Sequence, residues 1–166
     1  GIGAAAPPDG PRGLLAALDR LQGFEAPAVA WERDVLPARV PGYDPAWLDL
    51  LCLGGPLAWG RLRPPVAQDR DRPRTGPVRN TPIAFFHRDE LPAWMALADA
   101  PAAGSDDLSH DARAVLARLE EAGPAFVLDL VARTGLLPAQ VERGLSELVS
   151  WGLVTADGFE ALRTLL

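Results

Sequence analysis

Apolar residues recur at helical spacing in both halves of this chain. In "GLLAALDRLQG" (13–23), Leu14, Leu18 and Leu21 share one stripe. "APAVAWERDVLPARV" (26–40) predicts a second helix with Trp31 over Val35, broken at Pro37 because its ring removes a backbone donor. "YDPAWLDLLCLGG" (43–55) predicts a third, with Asp44 as N-cap and Pro45 at the first helical position. Two apolar runs follow, "PLAWGRLRP" (56–64) and "TPIAFFHR" (81–88), which predict the strands of a long wing. Between them "PVAQDRDRPRTGPVRN" is charged and broken by prolines, the composition of a mobile loop.

The second half parses more cleanly. "LSHDARAVLARLEEAG" (108–123) predicts a helix capped by Ser109, with Asp111 in its first turn where the helix dipole favours an acid. Ala112, Val115, Leu116 and Leu119 face inward, and Gly123 ends the helix. "PAFVLDLVARTG" (124–135) predicts a second helix with Phe126, Val127, Leu130 and Val131 inward and Gly135 as its stop. "LLPAQVERGLSELVSWG" (136–152) predicts a third, with Val141, Leu145, Leu148 and Val149 in the core and Gly152 closing it. "LVTADGFEALRTLL" (153–166) predicts a short strand, an Asp-Gly turn and a return segment. Three helices followed by a hairpin is the winged-helix order. "DPAWLDLLCLGGPLAW" and "LPAQVERGLSELVSWGLVT" also share a scheme: a Pro-Ala opening, an apolar helix and a glycine before a strand. The expected fold class is therefore mainly α with short β-hairpins (α+β), built as tandem winged helix-turn-helix units. The expected divisions are a flexible segment at 1–12 and a first unit at 13–90 with its arginine-rich wing loop at 66–80. A connecting helix and linker at 91–107 and a second unit at 108–166 complete the chain.

Charge changes this picture in one place. The 166 residues carry a net charge of −6, which argues against bulk attraction to nucleic acid. All sixteen basic residues are arginine, and six of them cluster as Arg61, Arg63, Arg70, Arg72, Arg74 and Arg79. Against Asp69 and Asp71 they give this stretch a local balance of +4. These six are the candidate DNA-binding residues, because guanidinium pairs well with phosphate and wings lie along the backbone. The plain alternative is a solvated loop on an otherwise acidic protein, and the residues alone leave both open.

Little else suggests chemistry. With no lysine, a phosphate-binding P-loop of the GxxxxGK[ST] type cannot form. Cys52, His87 and His110 are too scattered for a zinc site, and Cys52 lies in an apolar run that reads as core. "SHD" at 109–111 contains triad residue types, but consecutive residues on one helical turn do not converge, so capping is the better account. His87 reads as a surface or partner-facing strand end, and "DELPAWMALA" (89–98) as a helix with an apolar docking surface at Trp94 and Met95. No apolar run approaches the ~20 residues of a membrane span, no signal peptide is apparent at the start, and an intracellular chain fits.

In "LLPAQVERGLSELVSWGLVTADGF" the inward residues leave Gln140, Glu142, Arg143, Ser146 and Glu147 outward. One arginine against two glutamates is a poor surface for a polyanion. Gly144 in mid-helix costs roughly 1 kcal/mol relative to alanine, which suggests close approach by a neighbouring element. This third helix is expected to pack against another domain and to leave DNA contact to the arginine loop.

Two long ordered series, "RLQGFEAPAVAWERDVLPARVPGYDPAWLDLLCLGG" with "WGRLRP" and "TPIAFFHRDELP", and then "LLPAQVERGLSELVSWGLVTADGFEALRTLL", carry a resemblance. They resemble the C-terminal extension of the large helicase-related (Lhr) family, bacterial superfamily 2 helicases of DNA repair. The resemblance runs from about Gly13 to Leu166. It implies winged-helix units accompanied by a β-barrel, an architecture similar to that of a winged-helix DNA glycosylase family. It also implies a parent enzyme that couples ATP hydrolysis to 3′-to-5′ movement on single-stranded DNA and prefers RNA:DNA hybrids. ATP and Mg²⁺ would belong to that parent's helicase core; none of the core motifs stands in this sequence, and no cofactor is expected in the segment. One departure is "GGPLAW", where the family usually has an acidic residue and a valine after the glycine, so Pro56 alters the entry to the first wing. The resemblance thus implies a non-catalytic segment for nucleic-acid engagement and domain assembly in the bacterial cytoplasm. Its expected partners are DNA and other domains of the same chain, with self-association as a further expectation and no membrane. Two alternatives stay open: part of a glycosylase-like repair module, or a protein–protein module. The second is favoured by the acidity of residues 89–166, net −8.

Overall fold

The computed structural model describes residues 9–65, 78–99 and 103–166. The first unit begins with α1 (Gly10–Asp19), where a proline sits in the first turn and Leu14 and Leu18 are fully buried. The helix starts inside the stretch expected to be flexible. Short β1 (Ala26–Pro27) leads into α2 (Ala28–Ala30), which continues as a π-helical turn over Trp31–Val35. There the Leu36 amide reaches back to the Trp31 carbonyl at 2.9 Å, closing a widened turn just before Pro37, which has no donor to offer. In α3 (Pro45–Cys52) the Asp44 side chain accepts the Ala46 amide at 2.9 Å, and Pro45 follows at the first position.

The wing strands β2 (Leu57–Gly60) and β3 (Pro82–His87) pair antiparallel, with Trp59 opposite Phe85 and Ala58 opposite Phe86. β1 pairs with the other edge of β3, so the sheet order is β1-β3-β2. As the central strand, β3 is buried on both faces. Ile83 and Phe85 face the helical core, while Ala84 and Phe86 face the other way with Ala58. Trp31 locks the first face: its indole donates to the Ile83 carbonyl at 3.0 Å, and its ring meets Phe85 edge-on at 4.9 Å. The second face is covered by α4 (Leu91–Leu97) through Trp94, whose ring lies 6.0 Å from Phe86. Trp94 also sits over Gly23, where a Cβ would come within 2.4 Å of the indole. That glycine is required twice, for the close approach and for its φ of +73°.

The second unit supplies α5 (His110–Ala122), α6 (Val127–Thr134) and α7 (Pro138–Ser150). Ser109 caps α5 by accepting the Ala112 amide, and Gly123 and Gly135 end α5 and α6 with positive φ, as their positions predict. Val141, Leu148 and Val149 of α7 are buried as expected. Phe126 and Val127 are not: α6 starts only at Val127, so Phe126 lies at its entry and stays 82% exposed. Leu130 is the buried residue of this helix.

The expected closing hairpin is absent. Residues 153–158 form no strand, and 159–163 form α8 (Phe159–Arg163). A two-residue Asp-Gly hairpin needs positive φ at both turn residues. Asp157 does not have it, and Gly158 sits at φ −110° as the cap of α8. Phe159, Leu162 and Leu166 recur at three and four residues, a helical rather than an alternating period. Phe159 and Leu162 join the core of the first unit, where Phe159 packs 5.4 Å from Phe85. The second unit thus has three helices and, in place of a wing of its own, a tail that fills the first.

The crossing of α7 and α5 explains Gly144. A Cβ there would lie 3.0 Å from the Asp111 carbonyl oxygen and 3.2 Å from the Ala112 nitrogen, both backbone atoms of the first turn of α5. Gly144→Ala gains about 1 kcal/mol of helix propensity but forces the helices apart, an overpacking cost of about 1–3 kcal/mol. Chemical denaturation is expected to show a net loss near 1 kcal/mol, whereas a stabilised variant would mean that the contact is loose.

Candidate nucleic-acid interface

In a winged helix the third helix enters the DNA groove. By chain order α3 is the third helix of the first unit, and α7 is the third helix of the second. The helix α3, "PAWLDLLC", carries no basic residue, and Asp49, its sole charged residue, is engaged by Arg163. Its outward residues include Leu50, which is exposed. Helix α7 is occupied differently. Of the five side chains expected to face outward, three turn to the start of α5. Gln140 Nε2 donates to Asp111 at 3.3 Å, Arg143 donates to the same carboxylate at 3.2 Å, and Glu147 accepts the Ser109 amide at 2.8 Å. Glu142 and Ser146 are what remains of that face.

The far end of α7 is held by the wing of the first unit. Ser150 Oγ donates to the Ser146 carbonyl at 2.9 Å, which leaves its oxygen to accept the Thr81 hydroxyl at 3.0 Å. Arg61 donates to the Ser150 carbonyl and, through Nε, to the Arg63 carbonyl at 2.9 Å. Burial pulls the Arg61 guanidinium below its ordinary range, with Glu25 acting in the opposite direction. Arg61, grouped by sequence with the phosphate-binding candidates, therefore serves as a cap for the C-terminus of α7. Arg63 and Arg79 face solvent on the two stems of the wing, and Arg63 stands 3.9 Å from Glu25. Arg70, Arg72 and Arg74 lie outside the described residues.

The polar clusters missed from sequence are structural. Arg88 donates to the Cys52 and Leu57 carbonyls at 2.7 Å and to Gly55 at 3.2 Å, closing the "CLGGPL" turn that Pro56 makes unusual. Arg163 of α8 reaches the first unit: it contacts Glu32 at 2.7 and 2.8 Å and Asp49 at 3.0 and 3.1 Å. Tyr43 completes this group by donating to Glu32 at 2.6 Å. No periodicity announces such a cluster, because its members come from residues 32, 43, 49 and 163.

The other candidates are equally settled in the fold. The Cys52 thiol is fully buried, and burial pushes its pKa up to about 12. His87 pairs with Asp19, and Ser109 acts as a cap. Among the described residues no group of three His, Cys, Asp or Glu could hold a metal ion, and no helix is long and apolar enough to cross a membrane.

Two measurements check the Arg163 cluster. Arg163→Ala leaves Glu32 and Asp49, both largely buried, without their counter-charge. A loss of about 1–3 kcal/mol in unfolding free energy is expected, and no loss would show the cluster to be ornamental. Tyr43 is the chain's one tyrosine, and burial, then the hydrogen bond to Glu32, raises its phenol well above the ordinary range. Its neutral form therefore stabilises the fold below the ordinary phenol pKa of about 10, and that contribution falls as pH rises beyond it. Tyrosinate absorbance should stay absent at about pH 10–11 while circular dichroism remains native, and should appear only on unfolding.

Comparison with known proteins bears on this arrangement. Residues 1–88 match the model of the large helicase-related protein, winged-helix domain. A protein of Mycolicibacterium smegmatis described as "Lhr helicase/ probable uracil glycosylase" is 28% identical over 159 residues. That match covers 93% of this chain but only 9% of the relative's length. The match over residues 1–88 takes in the first three helices and the wing, and on this ground the chain belongs to the Lhr family, of which it carries a winged-helix domain.

Proposed function

We propose that this segment serves an Lhr-type ATP-dependent helicase as a non-catalytic scaffold that touches nucleic acid through its wing. The observation that carries this reading is the state of the two third helices: α3 offers no positive charge, and α7 has its polar face turned to α5. Arg79 on one wing stem is exposed, Arg63 on the other is exposed with Glu25 at the 3.9 Å limit of a pair, and Arg70, Arg72 and Arg74 belong to the same stretch of sequence. Contacts of this kind position a strand and carry no base sequence, since guanidinium–phosphate pairing is indifferent to the base. In this reading ATP and Mg²⁺ act in the helicase core of the parent protein. The substrate is single-stranded DNA or an RNA:DNA hybrid met during repair in the bacterial cytoplasm, and the packing of α7 and α8 serves assembly with other domains.

Salt dependence tests it. At low ionic strength the chain should bind a labelled single-stranded oligonucleotide, and log K should fall linearly with log salt. Arg63→Ala with Arg79→Ala should reduce that slope by roughly 1.4, about 0.7 for each phosphate no longer neutralised on a single strand, with thermal stability unchanged. Substituting Arg143→Ala on α7 should leave the slope as it was. The reading fails if no binding appears at low salt, or if Arg143 rather than the wing pair sets the slope.

A further inference from the structure

An open groove of about 460 Å³ runs between the α5–α6 turn, α7 and the tail that ends in α8. Its lining is mostly apolar and includes Leu119, Leu130, Leu145, Val154, Leu162 and Leu165. Val127 stands at its side, partly exposed, and the neighbouring Phe126 and Leu128 are each about four-fifths exposed. Phe126 and Val127 are the residues whose inward placement the sequence predicts and the structure refuses. An apolar cleft bordered by exposed phenylalanine and leucine is unusual for a surface without a partner.

Charge says what kind of partner. The ionisable side chains lining the groove are Glu142 and Asp157, and neither has an ion-pair partner among the described residues. The segments around them add Glu120, Asp129 and Glu160, while Glu121 is paired with Arg118; of the arginines on these elements Arg143 is engaged by Asp111 and Arg163 by Glu32 and Asp49, so that Arg113 on α5 and Arg133 on α6 stand against five acids. A second copy of this chain is a poor occupant. The exposed apolar helices it could offer are acidic: α4 is flanked by Asp89, Glu90 and Asp99, with Arg88 bound to backbone carbonyls, α3 carries Asp49, and α6 belongs to the groove's own acidic rim. An extended peptide is also a poor fit. The edge of β2 beside the groove is covered by the tail, with the Thr155 hydroxyl donating to the Trp59 carbonyl at 2.6 Å. An added strand would leave its own amides unpaired in an apolar cleft, whereas a helix satisfies them internally.

We infer that this groove docks a basic amphipathic helix of a partner protein. Apolar residues of that helix at i, i+3 or i+4, and i+7 fill the cleft, and its flanking Arg or Lys side chains meet Glu142 and Asp157. This interaction is independent of nucleic-acid contact at the wing, which lies on other residues.

The test uses the whole chain and a labelled synthetic helix of about 14 residues, roughly four turns, with leucines on one stripe and arginines on its flanks. Two controls accompany it: the same composition scrambled so that no stripe forms, and the same stripe with glutamate for arginine. Fluorescence anisotropy should show saturable binding of the first peptide, weakened about tenfold or more for both controls. Val127→Asp and, separately, Glu142→Arg should weaken it by a similar factor, with circular dichroism and melting unchanged. Both positions are solvent-exposed, so each variant is expected to fold, and either suffices if the other does not. Amide shifts on titration should map to α6, α7 and the tail. Equal binding of the scrambled peptide, shifts confined to the wing, or no binding would overturn the inference. So would concentration-dependent self-association abolished by Val127→Asp, which would make a second copy the occupant.

Discussion

The insertion of Phe159 and Leu162 into the core beneath the wing is the contact on which the rest of the molecule depends. Each side chain is fully buried in a core drawn largely from residues more than seventy positions away, and burial of one such side chain stabilises by about 1.5–3 kcal/mol. Together they contribute about 3–6 kcal/mol, a large share of the net stability of an ordinary domain, about 5–15 kcal/mol. Without them Trp59 and Phe85 would face water on the side that α8 now covers. The Arg163 cluster then fixes the angle at which α8 lies, because one guanidinium must meet two carboxylates on different elements. The three helices of the second unit are fastened to the first by the same tail and by the Arg61 and Thr81 contacts with Ser150.

This coupling explains why a chain with winged-helix order has a muted groove-reading surface. Helix α7 is gripped at one end by the N-terminus of α5 and at the other by the wing. With Gln140, Arg143 and Glu147 turned to α5 and Ser150 held by the wing, this helix offers few of the free donors that major-groove readout requires on one side. The acidic balance of the second unit works in the same direction. What the fold leaves available is the solvent side of the wing stems and the apolar cleft behind α7, two surfaces with different chemistry.

Much of this is legible in the sequence, and the reasons differ by element. Helices α1, α3, α5 and α7 follow from local signals: a repeat of three and four residues, a capping Asp44 or Ser109, and a closing glycine. The long wing follows from two apolar runs around a polar, proline-broken stretch. Gly144 is legible as a close approach because a mid-helix glycine has a local cost that needs a non-local reason. The tail is misread because "TADGF" carries a hairpin signal, and only the distant core of the first unit decides that Phe159 belongs in a helix. Arg61 has a tie that its place in the chain does not announce. Its charge groups it with the wing arginines, while its role depends on a carbonyl 89 positions away. Glu32, Tyr43, Asp49 and Arg163 form one cluster only after folding, so no spacing in the chain could name them.

The inserted tail should make the two units unfold as one, and native-state hydrogen exchange measures this most directly. Slow amides in α7 and in β3 should open with the same free energy and the same denaturant dependence, as members of one cooperative unit. Leu162→Ala should lower both by an equal amount. Opening of α5–α7 at markedly lower free energy than β3, with Leu162→Ala affecting only one of them, would contradict it and restore two independent modules.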